Sequence, residues 1–333
     1  MTDEQRGATV AAAELWFEQH GLPYFVAGNE RRVLAALRRT RLVPVVLAVS
    51  LLGVAAGVGV GLLSTDISTG VLVGAVGVAV IVLVYALASL HLQPIARWAV
   101  RQTFGSLGWL FPLITRALPL LLLFMTFLFI NTEVWQVSSA LDRGLLWLTV
   151  LLFAAVAVAF LLVRLPEEVR TVSADARGER MVEICKGTPV EDAALEVTGD
   201  AAEVELSRLQ RANLVLVLLF SQALQVLLLS LSVFVFFIVF GKVAISDSVI
   251  RAWLGRGTED DPIPSHLPTL DWLPVSNELF QVAIFLAAFS GLYFTVYAVT
   301  DENYRRQFFT SISDELESAV GVQAVYRALR RDP

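Results

Sequence analysis

The polar side chains of this chain that are equipped for chemistry stand inside or beside long apolar runs. RALPLLLLFMTFLFINTEVWQ opens on Arg116, holds Thr126 and reaches Glu133 near its end. Farther on, Gln222 and Gln225 interrupt a second run, and Tyr293, Tyr297 and Asp301 recur through a third. Amides, hydroxyls and a guanidinium can exchange hydrogen bonds, hold an ion pair or line a wet path through lipid. Bond-breaking chemistry needs partners that the sequence lacks. Ser290-Gly291 has no intramembrane base, because His20, His91 and His266 all lie outside the runs or at their ends. PEEVR at 166–170 is not accompanied by the histidines a glutamate-pair protease requires, and no HExxH, phosphate loop or GxGxxG occurs. An enzyme is not expected, nor a cofactor.

Metal chemistry has little more to work with. The single cysteine, Cys185, leaves neither a disulfide framework nor a multi-cysteine cluster. Glu259, Asp260, Asp261, His266 and Asp271 offer hard ligands in one loop, but without regular spacing and among prolines, so a solvated loop is expected and no metal site.

The elements that must position these groups follow from composition. Hydrophobic residues make up 56% and charged ones 17% of the 333, with a mean hydropathy of +0.68. Soluble domains are nearer half apolar and a quarter charged, so this is a membrane composition. The expected fold is an all-α membrane protein, a six-transmembrane-helix bundle with a helical cytoplasmic extension. The spans fall at about 42–63, 70–90, 109–130, 145–163, 213–240 and 278–299, each long enough to cross roughly 30 Å of hydrocarbon. Residues 1–41 form a cytoplasmic N-terminal amphipathic region, 42–163 hold helices one to four, and 164–212 form a cytoplasmic helical loop. Residues 213–299 hold helices five and six with an outer loop at 241–277, and 300–333 form a cytoplasmic C-terminal helix. No secretory signal precedes the first span, which follows an arginine cluster and reads as a retained anchor.

Orientation follows from the basic residues. With the N-terminus inside, 20 of the 25 Arg and Lys lie in cytoplasmic segments, four lie outside, and Arg116 sits within a span. That bias puts both termini in the cytoplasm, and the expected location is the bacterial plasma (inner) membrane. Arginine outnumbers lysine 23 to 2, as in a GC-rich bacterial genome.

Spans one and two are joined by STDIST alone, and Gly53, Gly57 and Gly61 meet Gly70 and Gly74 at four-residue spacing, which predicts close backbone approach. Thr188-Pro189-Val190-Glu191 predicts a helix ending near Gly199, and Asp200 starts another that nothing interrupts before Gly241, about 40 residues. ERRVLAALRRTR sets Arg31, Arg32, Arg38, Arg39 and Arg41 against an apolar face suited to anionic lipid. Phe309, Ile312, Leu316 and Val320 form a stripe that packs on the protein's own cytoplasmic face or docks a partner.

Depth and helical angle assign the polar groups. Arg116 and Glu133 are 17 residues apart, roughly 25 Å of helix, so they mark opposite interfaces and do not pair. Arg116 either snorkels to headgroups or meets Asp301 at the same level. Pro112, Thr115, Pro119, Thr126 and Glu133 share about 60° of span three. Ser221, Gln222, Gln225 and Ser232 share about 100° of span five, and Ser290, Tyr293, Tyr297 and Asp301 about 80° of span six. Span four, with little polar but Thr149, faces lipid. The three polar faces bury against one another as a dry seam or around a hydrated cavity. Trp135, Trp253 and Trp272 suit the outer aromatic belt.

WFEQHGLPYFV at 16–26, the run from Arg116 to Gln136 and FVFFIVFGKVAI at 234–245 together resemble a group of uncharacterised integral membrane proteins of actinobacteria. The resemblance covers most of the chain. It implies a membrane location and supplies neither an activity nor site residues. The expected role is a non-enzymatic scaffold, sensor or accessory subunit, with a transporter or channel for a small solute or ion as the alternative. A protein partner or a second copy is expected, and no nucleic acid.

Overall fold

The computed structural model describes residues 2–29, 39–64, 67–89, 92–105, 121–175, 180–197, 206–255, 269–270, 273–300 and 302–331, with positions 33, 35 and 119 between them. The architecture is all-α apart from one short hairpin of strands, Thr269–Leu270 paired antiparallel with Leu273–Ser276.

Helix α1 (Asp3–Gln19) begins in a capping box, Thr2 accepting from the Gln5 amide while the Gln5 side chain returns to Thr2. A 3₁₀ turn, Pro23–Phe25, follows. Helices α2 (Arg39–Ser64) and α3 (Ile67–Ser89) form the expected hairpin. A Cβ on Gly57 would stand 2.8 Å from the Gly70 carbonyl, and one on Gly74 2.9 Å from that of Gly53. The glycines are therefore needed for the approach. Helix α4 (Leu92–Gly105) is amphipathic, burying Leu92, Ile95, Trp98, Ala99 and Thr103 on one side.

Among the described residues three helices are long and apolar enough to cross a bilayer: Arg143–Arg170 within α7 (Arg143–Asp175), α10 (Arg208–Ala244), which the short α11 (Asp247–Trp253) follows, and Asn277–Ala298 within α12 (Asn277–Thr300). A fourth is reached if α5 (Leu121–Phe129) and α6 (Thr132–Ala140), bent by 75°, count as one broken span. The six expected spans are thus represented by three to four. Within α2 and α3 the apolar stretches of described residues, Leu47–Leu62 and Val73–Val82, are shorter than a full crossing.

The central membrane helix is α12. In its most apolar window 61% of residues are buried, against 17% for both α7 and α10, which flank it. Helix α7 turns Leu152 and Val163 outward and keeps Leu161, Leu165 and Val169 in the core. It also runs on through Pro166 to Asp175, twelve residues past the expected end of the span.

Several boundaries differ from expectation for local reasons. The segment expected as an outer loop after residue 130 is helix α6, because Asn131 takes an extended backbone and its side chain accepts from the Glu133 amide at 2.8 Å. The long fifth helix starts at Arg208, where Ser207 and Gln210 form a capping box that the acidic residues upstream had masked in the sequence. Its 37 residues extend roughly 55 Å. Thr188 donates to the Cys185 carbonyl at 2.6 Å rather than capping, so that helix, α9, runs Glu191–Val197.

On the side of the chain ends lies a helical cap. Helix α13 (Glu302–Arg331) runs through it, and every residue from Ala319 to Tyr326 is buried. A helix enclosed all round must have neighbours all round. They are α1, the end of α7, α8 (Arg180–Ile184) and α9. The stripe at Leu316 and Val320 therefore packs internally, while the side chains of Phe309 and Ile312 lie outside the described residues.

Candidate functional site

Of the eight polar positions singled out in the sequence, Arg116 and Asp301 lie outside the described residues, so their pairing does too. Glu133 is exposed in the first turn of α6, where its charge suits the helix dipole, and Thr126 is half-buried. Neither joins a described polar cluster. Tyr293 is 38% exposed and stacks on Phe124 at 5.6 Å and on Tyr297 at 6.1 Å. Its ring holds α5 against α12 by aromatic contact. Ser290, expected on the same face, instead lies in the buried stripe of α12, since a neighbour on each side of that helix splits the 80° arc between them.

The seam of α10 and α12 is close-packed. A Cβ on Gly291 would meet Ser230 Oγ, and one on Gly241 would meet Leu279 Cδ1 and Phe129 Cζ. These contacts fix an antiparallel register, which places Gln225 about level with Thr295 and Gln222 about level with Ala298. Buried hydroxyls of α12 bond within their own helix, Ser290 donating to the Leu286 carbonyl at 2.6 Å and Thr295 to that of Gly291 at 2.8 Å; Ser232, exposed on α10, likewise donates to the Leu228 carbonyl at 2.9 Å. One turn of α10 is different. Ser221 Oγ, both amide atoms of Gln222 and Gln225 Oε1 are buried without a hydrogen-bond partner, and Gln222 is 0% exposed. Lone amides in an apolar setting cost several kcal/mol. The polar face of span five is therefore concentrated in a single unsatisfied turn, which a hydrophobicity pattern has no means of singling out.

At the bend before α6, Trp135 is fully buried and its indole Nε1 donates to the Phe129 carbonyl at 2.6 Å. That carbonyl is one of the orphans left at the end of α5. Trp135 thus braces the bend from inside instead of standing in an outer belt; Trp253 packs on it at 5.5 Å, and Trp272 lies outside the described residues. The acidic loop from Glu259 to Asp271 also lies outside them, as do Arg31, Arg32 and Arg38, while Arg39 and Arg41 are described by their helical backbone alone.

The polar contacts with no forewarning in the sequence hold the cap together and tie it to α10 and α4. Asn213 on α10 is 0% exposed; its Nδ2 donates to the Gly21 carbonyl at 2.8 Å and its Oδ1 accepts from the Tyr24 amide at 2.9 Å. One carboxamide so serves both backbone groups of the turn after α1. Gly21, at φ +71°, lets that turn lie directly on Trp98 and Ile95 of α4. Tyr326 donates to Glu14 at 2.5 Å and accepts from Arg330 at 2.8 Å. Burial, with the Glu14 bond adding to it, raises the Tyr326 pKa. Gln102 on α4 donates to Glu315 on α13 at 2.8 Å.

Between α1, the 3₁₀ turn and α4 opens a pocket of about 490 Å³, lined among others by Glu18, Asn29, Arg97, Trp98 and Arg101. Arg101 Nη2 donates to the Gln19 carbonyl at 3.2 Å. Beside it His20 stacks on Trp16 at 4.0 Å and bonds the Trp16 carbonyl through Nδ1 at 2.8 Å. Burial lowers the His20 pKa, the Trp16 bond opposes that, and the Arg101 charge lowers it further. The net effect favours the neutral imidazole.

Fold and sites together define an all-α protein whose apolar helices are long enough to cross a bilayer and carry a helical cap. No protein-family model matches the chain, and no curated protein or solved structure matches it either.

Proposed function

We propose that this chain is a non-enzymatic scaffold, sensor or accessory subunit of the bacterial plasma membrane, a six-span bundle with both termini and the cap in the cytoplasm. The observation that carries the reading is the closed seam of α10 and α12, where glycines seat neighbouring side chains and the buried hydroxyls of Ser290 and Thr295 bond within their own helix. A solute path needs polar groups turned toward a lumen, and these are turned toward their own carbonyls. The cap is joined through Asn213 to α10, so a partner on the cap and the membrane helices feel one another. Orientation rests on the arginine bias, and the resemblance to actinobacterial membrane proteins belongs to the same proposal. The test is crosslinking in the native membrane followed by purification of the full chain. A stoichiometric protein partner, or a defined oligomer of the chain itself, is expected.

The transporter or channel reading has one observation in its favour, the unsatisfied turn at Ser221, Gln222 and Gln225. It predicts solute or ion flux in proteoliposomes that Gln222→Leu abolishes. The scaffold reading predicts no flux and a Gln222→Leu protein that melts higher than wild type, because two lone polar atoms leave an apolar site. Flux that depends on Gln222 overturns the scaffold reading.

A further inference from the structure

Helix α4 divides into two faces that ask for different surroundings. Ile95, Trp98, Ala99 and Thr103 are buried, whereas Gln93, Arg97, Val100, Arg101 and Phe104 share about 100° of the opposite face. On that face Val100 is 46% and Phe104 51% exposed, apolar groups set among arginines. Because α4 begins three residues after α3 ends, it lies where a membrane-crossing α3 would meet the headgroups. A helix mixing arginine with exposed valine and phenylalanine suits that boundary.

The pocket above this face supplies the recognition. Among the described residues Arg97 has no hydrogen bond or ion pair, and Arg101 gives one donor, to the Gln19 carbonyl. Glu18 is the acid on the pocket wall, and His20 is not among the lining residues. Two guanidinium groups against one carboxylate leave one net positive charge. That balance matches a single negative charge and disfavours a dianion. Gln93 and Asn29 line the same pocket and can bond ester or hydroxyl oxygens, and exposed Leu15 at its edge joins Val100 and Phe104 as apolar ground for acyl chains.

We infer that Arg97 and Arg101 form a binding site for the monoanionic phosphodiester headgroup of a membrane phospholipid, seated between α1 and α4. Arg97 is the primary ligand, a fork free to take two phosphate oxygens. Arg101 keeps its bond to α1 and adds a second contact. The site is separate from the arginines of residues 31–41 and independent of whether the chain is a scaffold or a transporter.

The experiment is native mass spectrometry of the full chain in detergent, titrated with phosphatidylglycerol, phosphatidylcholine and inorganic phosphate. One phosphatidylglycerol is expected to be held about tenfold more tightly by wild type than by Arg97→Gln, the loss of one charge-assisted contact. Phosphatidylcholine should bind more weakly to wild type, its ammonium meeting the same net positive pocket, and inorganic phosphate should not compete. Arg97 makes no bond among the described residues, so the variant should keep the wild-type melting temperature. Equal retention of phosphatidylglycerol by both proteins overturns the site. Competition by inorganic phosphate overturns its assignment to lipid in favour of a free phosphate.

Discussion

Single side chains decide whether the cap stays on the membrane helices. Asn213 closes two buried hydrogen bonds at once, to the Tyr24 amide and to the Gly21 carbonyl. Asn213→Leu fills the space but removes both buried bonds, so a loss of about 2–4 kcal/mol is expected, with faster hydrogen exchange confined to residues 20–25. Denaturation of the purified protein and exchange mass spectrometry measure the two. Cys185 is fully buried, and burial, reinforced by the Glu191 charge, pushes its thiol up to about 11. At pH 8 it should resist a thiol reagent in the native protein and react fully after unfolding, since only the thiolate is nucleophilic. Rapid native labelling would contradict the packing of α8 against Gly321, whose added Cβ would lie 3.1 Å from the sulfur.

At the scale of elements, two joints are held by contacts that tolerate little change. In the α2–α3 hairpin, backbone meets backbone at Gly57 and Gly70, and a side chain there forces the helices apart. Gly57→Val should cost 3 kcal/mol or more, about the upper range of overpacking, and a disulfide or spin-label pair across the hairpin should report the wider separation. Gly59→Val, with nothing within 4 Å of its added Cβ, should be silent in the same measurement. At the α5–α6 bend, Trp135→Phe keeps the ring and removes the donor to the Phe129 carbonyl. A loss of about 1–2 kcal/mol is expected, without loss of the aromatic contact to Phe129 at 5.4 Å. An unchanged melting curve would mean that the carbonyl is satisfied otherwise.

Across the whole molecule, docking of the cap should depend on pH through His20. Its pKa is lower in the folded protein than in the unfolded chain, where it is about 6.5. The unfolded state therefore binds the proton first as pH falls. Stability is full above about pH 6.5 and declines below it, toward and through the lowered native value. His20→Gln, which can still donate to the Trp16 carbonyl, should flatten melting temperature between about pH 7 and 5.5. A profile identical to wild type would exclude His20 as the source.

Sequence alone determined whatever depends on solvent and on local spacing. The run of apolar residues fixed an all-α protein with helices fit for lipid, because backbone groups in hydrocarbon must bond within their own segment. Glycine spacing fixed the hairpin seam, since only a missing Cβ allows that approach. The polar groups were visible as residues but not as neighbours. A helical angle says that Ser290 and Tyr293 share an arc; only packing says that one is sealed against α12's neighbours while the other lies on Phe124. Nothing local marks Asn213 as a clamp, because its partners are 189 and 192 residues away. The sequence likewise shows Arg97 as one basic residue in a loop. The fold sets it across a pocket from α1 with no partner among the described residues, because long-range packing decides which charges meet and which are left for a ligand.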